Sequence, residues 1–147
     1  MNATKKFLID NFMIYNDKIF EKKLTLPIFK LYTSRSGPVA MFRYDKNKNN
    51  PTIWINNSIN WTEETLINTL IHEMIHQYIR TIVKYNGFIS HGWRFFKFKR
   101  KIKKELGIKI SITGKHLPYK KKRASTDALL LFKTSSHHLS FSIVNST

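Results

Sequence analysis

Cysteine is absent from this chain of 147 residues, which excludes disulfides and every thiolate metal site. An intracellular, cytoplasmic setting is compatible with that absence. Acidic residues are scarce: 9 Asp and Glu stand against 26 Lys and Arg, for a formal charge of +17. No apolar run approaches the roughly 20 residues needed to span a bilayer, so no membrane partner is expected. Charge near the N-terminus is followed by apolar residues that Asp10 and Asn11 interrupt, which argues against a cleaved secretory leader. No sequence-reading DNA motif is visible. What remains is a chain with 41% apolar and 14% aromatic residues, the composition of a globular protein and long enough for one domain with a proper core.

His72-Glu73-Met74-Ile75-His76 is the most informative stretch. Residues four apart stand one above the other on a helix, so two His at that spacing can close on one Zn²⁺ at about 2.0–2.1 Å per nitrogen. Glu73, one step round, would flank the metal without binding it, as a base acting on an activated water must. The context is helical. Thr62 is a good N-cap, Glu63 and Glu64 suit the positive end of the dipole, and Leu66, Ile67, Leu70, Ile71, Met74, Ile75, Tyr78, Ile79 and Ile82 give a broad apolar face. A buried helix carrying His, Glu and His has polar groups to satisfy, and a metal does so. The plainer alternative is two core histidines bonded to backbone, with Glu73 at the rim.

Catalytic zinc usually keeps three protein ligands and one open position. Downstream candidates for the third are His91, Glu105, His116, Asp127, His137 and His138. The metzincin continuation fails, because Ile79 and Ile82 stand where its Gly and third His belong. Glu105 sits in a lysine-rich stretch that reads as a solvated helix face, and His137-His138 read as turn residues. His91 is the better choice: it lies in a loop turning into a second helix, with Ser90 as a plausible N-cap and Gly92 allowing close backbone approach.

With these residues the chain resembles the SprT-like family of zinc metallopeptidases, which includes the Spartan proteases acting on DNA–protein crosslinks. The resemblance rests on the His-Glu-x-x-His helix, on a third His fifteen positions further on (76 to 91), and on the Gly and aromatic-rich helix that follow it. Upstream, Tyr15 to Phe20, Leu26-Pro27, Ser36 to Ala40 and Thr52 to Asn56 match the lead-in, so that it covers roughly Met1 to Leu106. It implies one catalytic zinc held by His72, His76 and His91, with Glu73 catalytic. Many relatives carry a four-Cys zinc ribbon after the catalytic region; here every Cys of it is missing.

Periodicity independently gives an α+β layout. A helix is predicted from Thr4 to about Glu21, strands at 28–32, 39–44 and 52–55 with a turn at Ser34–Pro38, then the motif helix and a last helix from about Gly92 to Leu106, stopped by Gly107. Trp93, Phe95, Phe96, Ile102 and Leu106 are its expected packing residues. The expected fold is thus zincin-like: N-terminal helix, small three-stranded sheet, motif helix, and a second helix carrying the third His. Residues 1–107 form the expected catalytic domain, and 108–147 a basic loop and Cys-less β-hairpin (Ala128–Phe132 and Leu139–Val144) packed on it.

The charge is concentrated: between Lys84 and Arg123, Glu105 is the only acid. Such an imbalance attracts phosphate backbones, and Lys97, Arg100, Lys101, Lys104, Lys120, Lys121, Lys122 and Arg123 are the expected contacts of non-specific DNA binding. Phe95, Phe96, Phe98 and Tyr119 are candidates to stack on unpaired bases. Three functions fit: a monomeric zinc endopeptidase acting on DNA-associated proteins; a nucleic-acid-binding or virion assembly component on a peptidase fold; and a regulatory zincin protease cleaving a repressor.

Overall fold

The computed structural model describes residues 1–45, 47, 49–87, 91–111 and 117–121. Their elements run α1 (Lys5–Phe20), β1 (Ile28–Tyr32), β2 (Ala40–Asp45), β3 (Asn50–Asn56), α2 (Glu63–Thr81) and α3 (Trp93–Leu106), the α+β class expected. Among the described residues no helix is long and apolar enough to cross a membrane.

Helix α1 starts where the Thr4 hydroxyl accepts the Phe7 amide at 3.2 Å, satisfying one of the donors a helix start leaves free. Its stripe Leu8, Phe12, Ile19 and Phe20 is buried, and it stops at Glu21 in the left-handed conformation (φ 55°). Buried Asn16 fixes the exit: its amide donates to the Leu24 carbonyl at 2.9 Å and accepts the Leu24 amide at 3.1 Å.

The sheet order is β1-β3-β2, with β1 parallel and β2 antiparallel to β3. The turn at Ser34–Pro38 therefore does not close a hairpin between β1 and β2; it bridges over the end of β3. Asn56 holds it there. Its side-chain amide donates to the carbonyls of Ser34 (2.7 Å) and Pro38 (3.2 Å), and its oxygen accepts the Ser34 amide at 3.2 Å. Central position suits β3, which alternates buried Pro51, Ile53 and Ile55 with half-buried neighbours.

Helix α2 opens with a reciprocal cap: the Thr62 hydroxyl accepts the Thr65 amide at 3.1 Å and the Thr65 hydroxyl accepts the Thr62 amide at 3.0 Å. Leu66, Leu70, Ile71, Met74, Ile75 and Ile79 are buried, whereas Ile82 has left the helix and is exposed. Gln77 is fully buried and ties α2 to the approach to β1, its amide donating to the Thr25 carbonyl at 2.7 Å.

Helix α3 is capped by Gly92 with no side-chain bond; Ser90, the expected cap, lies outside the described residues. It buries Phe95 and Ile102, but Trp93 is 66% exposed and Leu106 37% exposed. The two expected packing residues sit at the helix ends, beyond the stripe that meets α2. Gly107 ends the helix with φ +70° and open space where a Cβ would point, the left-handed stop that glycine adopts without penalty. Beyond it Ile110 is buried, and Tyr119 forms an antiparallel bridge with Ile59. Both strands of the expected C-terminal hairpin lie outside the described residues.

Candidate metal centre

Two consecutive turns of α2 project His72 and His76 to the same side, and the loop before α3 brings His91 to them. His91 precedes that helix rather than being carried on it. The three Nε2 atoms form a near-equilateral triangle: 3.0 Å from His72 to His76, 3.0 Å from His72 to His91 and 3.3 Å from His76 to His91. Three nitrogens bonded tetrahedrally at about 2.0–2.1 Å to one ion stand roughly 3.3 Å apart, so the cluster has the dimensions of a metal site. The three can hold a metal ion.

The tautomer of His72 is fixed from outside. Its Nδ1–H donates to the Ser111 carbonyl at 2.8 Å, leaving the Nε2 lone pair aimed into the triangle, the outer-shell support typical of a metal-binding imidazole. Phe95 floors the cluster, with ring centroids 4.8 Å from His72, 5.1 Å from His76 and 4.7 Å from His91. Burial lowers His72 from 6.5 to about 4, against the hydrogen bond to Ser111. Burial, together with the two neighbouring imidazoles, lowers His76 to about 3, and burial lowers His91 as well. At neutral pH all three are unprotonated, the form that binds metal.

Glu73, next to His72 on α2, is buried. Burial raises its carboxyl from 4.5 to about 8, partly offset by a hydrogen bond from the backbone of Phe42 in β2. A dication nearby would pull this value down. Of the other candidate ligands, Glu105 is exposed and 4.0 Å from Lys101. His116, Asp127, His137 and His138 lie outside the described residues.

The Ser111 carbonyl and the Phe42 amide escaped the sequence because backbone groups have no residue signature. Phe95 left a trace: it stands four residues after His91, where a helix begun at Gly92 turns it back towards the site.

The basic candidates separate in the structure. Lys97, Arg100, Lys101 and Lys104 are all exposed on α3, and their spacing gathers them on one arc of about 100°. Lys121 is exposed, but the half-buried Lys120 gives its ammonium to the Asn57 carbonyl; Lys122 and Arg123 lie outside the described residues. Among the aromatics, Phe95 is buried and Phe98 packs on Phe20 and Tyr78, which removes both as base-stacking surfaces.

A small mixed sheet backed by a helix that presents His, Glu and His, with a third His from the following loop, defines a zincin-like fold. The SprT-like family profile matches residues 8–116, so the chain belongs to the SprT-like family and carries a metallopeptidase-type domain. No curated protein matches it.

Proposed function

We propose that the protein is a zinc-dependent endopeptidase that cleaves DNA-associated proteins. The observation that carries the reading is the triangle of Nε2 atoms 3.0–3.3 Å apart, with the buried Glu73 next to His72 on the same helix. His72, His76 and His91 would hold the ion, and an all-imidazole donor set suits zinc. When bound, zinc supplies Lewis-acid chemistry, polarising the scissile carbonyl and lowering the pKa of the attacking water towards 7. Glu73 takes the proton of that water and passes it to the leaving amine. The Phe42 amide and the walls of the site hold Glu73 in place for both transfers, while the Ser111 carbonyl fixes the His72 ring. Ser111 supplies that carbonyl and Ile110 is buried, which supports reading residues 108–111 with the same domain.

The DNA part of the reading rests on charge. A chain at +17 with Lys97, Arg100, Lys101 and Lys104 exposed on one arc of α3 attracts phosphates without reading sequence. DNA then concentrates enzyme and protein substrate on one polymer. The test is zinc content together with cleavage of a DNA-bound protein, with and without DNA. Wild type is expected to carry one zinc and to cut faster with DNA. Glu73→Gln should keep zinc yet lose about 10²–10⁴-fold in rate. Wild-type cleavage by Glu73→Gln would defeat the catalytic assignment. A zinc-loaded protein that binds DNA but cuts nothing would instead be a binding component on a peptidase fold.

A further inference from the structure

Next to the third histidine lies a cavity of about 580 Å³ lined by His91, Gly92, Trp93, Phe96, Lys97 and Arg100. Four of these residues fall at positions i, i+3, i+4 and i+7 of α3, so they form one stripe along the helix. The stripe has two chemical parts, the rings of Trp93 and Phe96 and the cationic ends of Lys97 and Arg100, and it begins at Trp93, two residues after His91. Among the described residues neither cation has an ion-pair partner, and no acid lines the cavity. Its aromatic wall is braced: the Arg94 guanidinium lies between two rings, 4.2 Å from that of Tyr85 and 4.7 Å from that of Trp93.

We infer that this cavity is the specificity pocket of the peptidase proposed above, and that it selects an acidic side chain, Glu or Asp, flanking the scissile bond. The inference rests on that reading of the metal centre. His91 belongs both to the three-histidine cluster and to the wall of this pocket, so the pocket adjoins the place where a scissile carbonyl would sit. An occupant with an apolar stem and an anionic head matches both kinds of wall: methylenes against Trp93 and Phe96, carboxylate against Lys97 and Arg100. A Lys or Arg side chain there would meet two like charges, which disfavours it. Of the four α3 cations invoked for DNA, Lys97 and Arg100 are then shared with the peptide at the pocket, while Lys101 and Lys104, further along the helix, serve phosphates alone.

The experiment uses zinc-loaded Glu73→Gln protein, so that binding is read without turnover. Fluorescein-labelled alanine hexapeptides carry a single Glu, Gln or Lys at each position in turn, and affinity is measured by anisotropy. At one position Glu should bind about tenfold tighter than Gln, the size of one solvent-weakened charge-assisted contact, and Lys should bind weaker than Gln. Adding Arg100→Glu, at an exposed position, should reverse that order with zinc content unchanged. Equal affinities for the three peptides at every position would overturn the inference, as would an order that Arg100→Glu and Lys97→Glu both leave intact. So would oligothymidylate binding that Trp93→Ala abolishes while the peptides show no preference, since the pocket would then be a nucleotide site. If the order holds in Glu73→Gln but zinc-loaded wild type cuts none of the peptides, the pocket stands and the peptidase reading falls.

Discussion

Of the three imidazoles, His72 and His76 owe their proximity to helix geometry alone, whereas His91 depends on a loop and on packing. Its ring is held by Phe95 and by the two histidines it faces, so its removal leaves a two-nitrogen site that α2 can still form. His91→Ala should therefore fold normally but weaken zinc binding more than about 100-fold, beyond the range typical of losing an outer-shell partner; competition against a chromogenic chelator measures this. Unchanged affinity would move the third ligand elsewhere. At this scale the sequence was legible wherever side-chain identity carries the chemistry. His72, Glu73 and His76 declare themselves by spacing, and His91 by its distance and its glycine. The groups that tune them are a carbonyl and an amide, and any residue at 111 or 42 would offer the same atoms.

Helices were legible through their ends, where side chains answer backbone demands: Thr4, Thr62 and Gly107 mark boundaries that agree within a residue with the structure. The α2 cap has a measurable share in the fold. Thr62→Ala removes an acceptor for the Thr65 amide and should cost about 1 kcal/mol, seen as a lower urea midpoint with zinc stoichiometry unchanged. The order of the strands was not legible. A five-residue turn between two alternating strands reads as a hairpin, and only the side chain of Asn56, reaching the carbonyls of Ser34 and Pro38, shows that the turn spans a third strand. The face of α3 was half legible. Its charge was plain, but period alone placed Trp93 in the core, whereas the first turn points it away from α2 beside Lys97 and Arg100.

On the scale of the whole molecule, the site sets how stability depends on pH. In metal-free protein His72 and His76 have folded values of about 4 and 3 against 6.5 unfolded. Between those limits the unfolded chain binds more protons, so stability present above 6.5 is lost as pH falls. Glu73 runs the other way. Its folded value of about 8 lies above 4.5, so stability present below 4.5 is lost as pH rises towards 8. Where the two windows overlap, the two histidines outweigh the single carboxyl, so metal-free protein should melt at its highest temperature at about pH 6.5, and less stably at both pH 4 and pH 8. A bound dication would draw the Glu73 value down, so metal-loaded protein should escape the decline on the alkaline side. Calorimetry of both forms from pH 4 to 8 checks this, and parallel curves for the two would refute it.

The order β1-β3-β2 also sets a sequence of events in time. Strands β2 and β3 are neighbours along the chain and antiparallel, so they can zip together as a hairpin within roughly 1–10 μs. Strand β1 cannot add to β3 until the segment between them, β2 included, has folded back, because Ile28 pairs with Thr52 across that whole stretch. Its pairing has the larger closure entropy and comes late. In stopped-flow experiments Ile53→Val, at the hairpin's buried centre, should slow refolding. Phe29→Leu, buried in β1, should leave refolding nearly unchanged and speed unfolding instead.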